Sequence, residues 1–398
     1  MAEQMERTSM QVRPRTWTEI SLSHLRENWI TIRGVIPGDC GVVVVLKADA
    51  YGHGAQACCR ALCDSGATWF GVSSPVEGKR LREVCPDGNI LVLSHFGDDC
   101  QDILDCHLIP QIWELRQADA LEVAWRERGQ HEQVPIHIEI DTGMARQGVR
   151  SAFELKRLLK HCRAKPFLSI EGAMTHFISP ESLQPDNTLR QIEIFRSFLD
   201  LMIEQGIKIK YIHAGNSATA FVPGHIEALR DLGRSYGAVL MIRPGMSFFG
   251  HSPRISPSGT IRLPPLKPIL SWKTRVISLK ELEIGATAGY DMTFRAYRPT
   301  RLALVSVGYA DGLNRLLSNK GVAIVGGRKV PYAGRISMDL TLLDVTEQPT
   351  VSIGDEVVLI GEQDGESVSA YDIADAIGTI PDEVTCAIGG HVLRLIRD

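Results

Sequence analysis

The sequence predicts an α/β protein in which an N-terminal (β/α)8 TIM-type barrel precedes a mostly-β C-terminal domain. Three observations carry this. Eight short apolar runs alternate with segments of helical spacing over about 240 residues. A Pro/Ser-rich stretch, HSPRISPSGTIRLPPLKP, then interrupts the rhythm. Beyond it the apolar period becomes two.

The runs end near Leu46 (VVVVL), Val72 (WFGV), Leu93 (ILVL), Trp113 (LIPQIW), Ile140 (IHIEI), Met174 (SIEGAM), His213 (YIH) and Ile242 (VLMI). Several lack polar alternation, as strands buried on both faces should. The fourth is the least strand-like, because Pro110 interrupts it. Phe153, Leu155, Leu158 and Leu159 are read as one helical face, and Ile192, Phe195, Phe198 and Leu199 as another. In the C-terminal part, 270–279, 302–307, 322–325, 340–345 and 357–360 read as strands, and only 370–376 as a short helix. The expected domains are 13–255, a cofactor-binding barrel, and 256–398, a β domain.

Composition narrows the function classes. The 398 residues are 44% apolar and 23% charged, which excludes a disordered chain. A net charge of −4 gives no reason to expect a nucleic-acid or membrane partner. Nine cysteines, without a CxxC pair, read as reduced thiols in a cytoplasmic protein rather than as a disulfide or zinc framework; no metal site is expected. The N-terminal MAEQMERTSMQVRPR has no apolar core, so no signal peptide is expected.

A (β/α)8 enzyme places its chemistry at the C-terminal strand ends. The first run ends in Lys47, whose ammonium, if it faces the barrel mouth, is costly to desolvate; a neutral amine can attack a carbonyl. Alone, Lys47 is more often a side chain that reaches for water. Its company shifts that balance. The fifth run ends in Asp141-Thr142-Gly143-Met144-Ala145-Arg146 and the sixth in Thr175-His176-Phe177. The seventh ends in His213-Ala214-Gly215-Asn216-Ser217 and the eighth in Ile242-Arg243-Pro244-Gly245-Met246. The last two loops often bind phosphate in this fold, and Ser217 with the Gly245 and Met246 N–H groups could do so. A phosphate cradle opposite an amine suits pyridoxal 5′-phosphate (PLP). Plainer readings stand beside these. Asn216-Ser217 can cap a helix, Asp141-Thr142-Gly143 can be a turn, His176 a core histidine, and Arg243 a surface ion pair.

From about residue 13 to Arg394 the chain resembles the alanine racemases, a PLP-dependent family. The motifs are Val45-Leu46-Lys47-Ala48-Asp49-Ala50-Tyr51-Gly52-His53-Gly54, Arg243-Pro244-Gly245, Gly308-Tyr309-Ala310-Asp311-Gly312 and Gly334-Arg335-Ile336-Ser337-Met338-Asp339. The resemblance implies a head-to-tail homodimer with two shared sites acting on a small amino acid. It implies that Lys47 holds PLP and that Tyr51, Ser217, Gly245 and Met246, with Asn216 beside them, take its phosphate. Arg243 would face the pyridine nitrogen, with His176 beside the ring. Tyr290 would be a second catalytic base, opposite Lys47, and Arg146 and the Met338 N–H would meet the substrate carboxylate. Glu139 and Asp339 would support these groups. Such a pair of bases would interconvert L- and D-alanine.

Three departures are visible. Glu139 stands where many members carry a lysine, often carbamylated; its carboxylate is expected to orient Arg146 without CO2, through a water or small anion. Asp291 follows Tyr290 where Gly is familiar, and its charge would raise the tyrosine pKa if it pointed inward. Gly390 replaces a phosphate-side tyrosine of some members, leaving room for substrates beyond alanine. A serine or broad-specificity racemase, a decarboxylase of the same barrel, and a non-catalytic PLP-binding protein are the alternatives. Arg243 argues against the decarboxylase, and the presence of both Lys47 and Tyr290 against the non-catalytic protein. A metal-dependent barrel enzyme, with Asp141 and His176 as ligands, is weaker: no HExxH or EF-hand loop is present.

Overall fold

The computed structural model describes residues 14–97, 99–129, 133–183, 186–257, 259 and 261–398. The stretch read as lacking a signal peptide falls, but for its last two residues, outside them, as does residue 13, the expected start of the barrel. The chain divides into two compact units, Ser21–Ile269 and a second built from the segment up to Ile20 together with Leu270–Arg397.

A first strand, β1 (Thr16–Ser21), precedes helix α1 (Leu22–Val35). Eight parallel strands then close a barrel: β2 (Gly41–Val45), β3 (Trp69–Val72), β4 (Asn89–Val92), β5 (Ile109–Ile112), β6 (Val134–Glu139), β7 (Leu168–Met174), β8 (Tyr211–His213) and β9 (Val239–Ile242). Closure is by β2 on β9, with Gly41 opposite Met241. All eight expected runs are strands. Pro110 sits inside β5, opposite Val92. Val43, Leu91, Ile109 and Met241 form one buried apolar cluster.

The connecting helices are α2 (Lys47–Tyr51), α3 (Ala55–Asp64), α4 (Pro75–Arg82), α5 (Cys100–Asp105), α6 (Leu115–Glu127), α7 (Ala152–Arg163), α8 (Asn187–Glu204), α9 (Ser217–Phe221) and α10 (Pro223–Ser235). In α8 the expected face Ile192, Phe195, Phe198 and Leu199 is buried. In α7 the expectation fails for Phe153, which is 74% exposed. Leu155, Leu158, Leu159 and Cys162 share the inward stripe, and Phe153 lies about half a turn away from it at 3.6 residues per turn.

The second unit is a nine-stranded sheet built around the long β10 (Leu270–Leu282), whose residues 270, 272, 274 and 276 alternate inward. The remaining strands are β11 (Thr287–Ala288), β12 (Phe294–Arg295), β13 (Thr300–Val305), β14 (Val322–Val325), β15 (Arg328–Pro331), β16 (Thr341–Asp344), β17 (Glu356–Gln363), β18 (Glu366–Val368) and β19 (Leu393–Arg397). β11 and β12 form a separate hairpin. Besides the expected helix, now α11 (Ala370–Ile377), a second helix, α12 (Pro381–Cys386), starts at Pro381, where a missing N–H costs nothing.

The expected division at 13–255 and 256–398 differs from the observed one at both ends. β1 pairs with β10, Thr16 opposite Thr274, so the first of the described strands belongs to the β unit. Residues 256–269 stay with the barrel for a physical reason: buried Asn28 clamps them. Its amide donates to the Phe248 and Lys267 carbonyls at 3.0 and 2.8 Å and its oxygen accepts from the Lys267 N–H at 2.8 Å. No helix of the described residues is long and apolar enough to cross a membrane.

Candidate active site

β2 delivers Lys47. Val42 to Leu46 are buried, and the chain then turns left-handed, with φ of 52–56° at Ala48, Asp49, Ala50 and Tyr51. Four non-glycine residues in this conformation cost roughly 1–2 kcal/mol each and persist only where surroundings hold them. Glu77 accepts from the Ala48 N–H at 2.7 Å, Asp49 accepts from the Ala55 N–H at 2.8 Å, and Ala50 N–H reaches the Leu46 carbonyl at 2.9 Å. The turn therefore fixes both Lys47 and Tyr51 within one motif.

Tyr51 crosses to the loop after β9. A methyl group at Gly245 would stand 2.5 Å from the Tyr51 hydroxyl oxygen, so any side chain there would have to push the tyrosine aside. The Ser217 hydroxyl accepts from the Gly245 and Ser247 N–H groups at 3.2 and 3.4 Å. Met246 opens the 3-10 turn Met246–Phe249. Ser217, Gly245, Met246 and Tyr51 thus converge at the start of two short helical turns, the kind of backbone that can receive an anion. Asn216 caps α9, its side-chain oxygen accepting from the Ala218 and Thr219 N–H groups. The capping reading describes it better than direct ligand contact.

Arg243 is buried, not a surface ion pair. It donates to the Thr175 carbonyl at 2.8 Å, to His213 Nδ1 at 3.3 Å and to His176 Nδ1 at 3.4 Å. Burial lowers its pKa to about 10. Guanidinium can only donate, so His213 Nδ1 must accept. His213 then carries its proton on Nε2 and gives it to His137 Nδ1, 2.8 Å away. This relay requires neutral imidazoles. Burial holds them so, helped at His176 and His213 by neighbouring charged groups: His137 and His176 fall to about 3, and His213 well below its usual value. After burial, the cations acting on His176 are Arg243, Arg146 and Lys47, which puts three positive groups around one imidazole.

Asp141 is the turn that the plainer reading describes. Its carboxylate accepts from the Gly143 and Ala145 N–H groups at 2.9–3.1 Å and pairs with Arg150 at 3.2 Å. It shapes the loop that presents exposed Arg146. Glu139 is buried and accepts from the Gln147 amide, whose other bond goes to the Leu93 carbonyl at 2.8 Å. Among the described residues no hydrogen bond or ion pair joins it to Arg146 directly, but the guanidinium is near enough to lower the Glu139 pKa. Burial pushes Glu139 up to about 7, against partial lowering by Gln147, Arg243 and Arg146. Between about pH 4.5 and 7 the fold binds a proton that the unfolded chain releases, so this group's contribution is lost as pH rises through 7. Glu139→Gln keeps the Gln147 bond and removes the ionisable group. We expect it to gain on the order of 2–3 kcal/mol at pH 8 and little at pH 5, read as a pH-dependent rise in thermal midpoint.

In the β unit, Tyr290 is 67% exposed in the 3-10 turn Tyr290–Met292. Asp291 has φ +60°, which explains why glycine suits that position. Its carboxylate points to Arg335, 3.2 Å away, so its charge is offset rather than aimed inward. The Gly308–Gly312 and Gly334–Asp339 motifs are joined: Tyr309 N–H reaches the Ser337 carbonyl and Ala310 N–H the Met338 carbonyl, at 3.1 and 3.0 Å. Met338 is exposed. Asp339 lies 3.6 Å from Arg15, which also pairs with buried Asp311. A Cβ at Gly390 would meet nothing within 4 Å. His391 pairs with Asp311 at 3.0 Å.

Sequence reading missed three supporting side chains, His137, Gln147 and Gln191, and gave His213 a place at a strand end but no role. Gln191 joins the Thr142 hydroxyl, the His176 carbonyl and the Ile178 N–H. A histidine inside the apolar run IHIEI was the available signal for His137, since a buried polar group needs a partner.

Comparison with known proteins adds to this geometry. The family "Alanine racemase, N-terminal domain" matches residues 20–253, and "Alanine racemase, C-terminal domain" residues 269–396. The chain is 37% identical over 380 residues to the alanine racemase of Halothermothrix orenii, covering 95% of this chain and 96% of that one. It is similar to the crystal structure of alanine racemase from Bacillus anthracis with bound L-Ala-P, at TM-score 0.87 and 29% identity, covering 97% and 96% of the two chains. It is also similar to alanine racemase from Bartonella henselae with covalently bound pyridoxal phosphate, at TM-score 0.82 and 25% identity, covering 97% and 100%.

Proposed function

The chain belongs to the alanine racemase family, and from that premise we propose how its residues interconvert L- and D-alanine with PLP. The observation that carries the reading is the convergence, at the mouth of one barrel, of Lys47, His176 and Arg243 with the Ser217/Gly245/Tyr51 cradle. These residues fit the cofactor: the cradle lacks a Cβ where a phosphate needs room, and Lys47 is held by a turn built for it. When bound, PLP supplies a conjugated electron acceptor that makes the substrate Cα proton acidic.

The chain's own groups do the rest. Lys47 removes or returns the Cα proton on one face, and Tyr290, contributed by the partner subunit of a head-to-tail homodimer, does so on the other. A phenol is a weak base at neutral pH, and Arg146 is the cation that makes it a better one. Arg146 and the Met338 N–H also hold the substrate carboxylate. Arg243, a donor with no acceptor, cannot take a proton from the ring nitrogen. The His213–His137 relay keeps it in place. We place the activity in the cytoplasm, supplying D-alanine.

The test is a D/L assay across alanine, serine and other small amino acids, alongside the visible spectrum of the purified enzyme. Alanine turned over fastest, with a lysine-linked cofactor band, supports the reading; a band without any inversion would make the chain a binding protein. The open space at Gly390 favours a second reading, comparable turnover of serine. Gly245→Ala tests the cradle. The added methyl meets the Tyr51 hydroxyl, so PLP affinity should fall at least tenfold in absorbance titrations while that for unphosphorylated pyridoxal stays level.

A further inference from the structure

Three thiols converge away from the active site. Cys59 and Cys63 lie one turn apart on α3, and Cys85 lies in the loop after α4. Their sulfur atoms all lie within 4.8 Å of one another. Cys59 and Cys85 are buried and Cys63 is partly open to solvent. With a metal–sulfur bond of about 2.3 Å, a planar three-sulfur site needs its sulfurs about 4 Å apart, within reach of small side-chain rotations.

The surroundings are built. The Arg82 guanidinium donates to the Cys85, Pro86 and Gly88 carbonyls at 3.2, 2.7 and 2.7 Å, fixing the loop that carries Cys85 and placing a positive charge beside it. At Gly88 a Cβ would stand 2.6 Å from the Cys85 sulfur, so the absent side chain leaves that sulfur its place. Cys59 and Cys63 are poor nucleophiles, since burial pushes Cys63 up to about 12 and Cys59 higher still. Among the described residues no histidine or carboxylate joins the cluster.

We propose that Cys59, Cys63 and Cys85 form a three-coordinate thiolate site for a thiophilic d10 cation, copper(I). All-sulfur donors select soft ions, and three ligands without a fourth suit copper(I) better than zinc(II), which takes four. Each ligating thiol gives its proton to solvent as its bond to the metal forms, so binding tightens with pH. Arg82 offsets part of the resulting negative charge, and the open side of Cys63 is the route in. The nine cysteines then divide into this triad and six others, and the absence of a metal site expected from spacing alone would not hold.

The test uses the reduced holoenzyme and copper(I) supplied as its bathocuproine disulfonate complex, whose colour reports transfer. One copper per chain is expected. Cys63→Ser and Cys85→Ser should each weaken binding at least tenfold, with an unchanged circular dichroism spectrum. Cys386→Ser, at an exposed thiol outside the cluster, should leave it intact. X-ray absorption should count three sulfurs per copper. No transfer, transfer kept in Cys63→Ser, two sulfurs per copper, or zinc(II) held in preference would each overturn the assignment.

Discussion

Lys47→Ala should lose racemisation by three to four orders of magnitude, about 4–5.5 kcal/mol of transition-state stabilisation, and lose the visible band of lysine-linked PLP. The two readouts belong together because one amine is proposed to do both jobs. Lys47→Arg separates charge from chemistry. Guanidinium keeps the positive charge beside His176 but cannot serve as a base near neutral pH, so it should be as inactive as alanine. The left-handed turn is also held by Glu77, Asp49 and the Leu46 carbonyl, so a folded variant is expected. An added primary amine such as methylamine should restore part of the activity to Lys47→Ala. A variant with near-normal turnover and an unchanged band would return Lys47 to the plainer reading, a strand-end lysine reaching for water.

What was legible in the sequence follows physical locality. Barrel strands buried on both faces write themselves as uninterrupted apolar runs, and even Pro110 did not hide β5. β1 was not legible as part of the β unit, because its partner Thr274 lies more than 250 residues away and nothing local marks that pairing. Phe153 misled because hydrophobicity, without its angular position, was counted as burial. The strand ends bearing Lys47, Arg243, Ser217 and His176 were legible because the fold dictates where a site lies. The left-handed turn after Lys47 was not, since Ala48-Asp49-Ala50-Tyr51 contains no glycine to announce positive φ. The His213–His137 relay was hidden too: a buried imidazole pair is a property of register between β6, β7 and β8, which no single segment carries. For Glu139 the sequence shows a carboxylate, but only packing shows that its hydrogen bond comes from Gln147.

Tyr290→Phe should lower racemisation in both directions by two to four orders of magnitude, with the PLP band kept. A two-base scheme demands more than slowness. If each base serves one face, Cα–H exchange into D2O should persist for the enantiomer whose proton faces Lys47 and collapse for the other. Exchange lost equally for both would point to a structural role, and exchange kept for both to a single base. Tyr290 is two-thirds exposed in its turn, its neighbour Asp291 tied to Arg335, a posture suited to work on another chain's barrel. Mixing Lys47→Ala with Tyr290→Phe chains tests that arrangement. With shared sites, each mixed dimer holds one site with both bases and one with neither, so random exchange should recover about a quarter of wild-type activity from two inactive parents. With each site built within one chain, every site lacks a base and nothing returns. Verified subunit exchange without recovery would therefore move Tyr290 from the partner's barrel to its own.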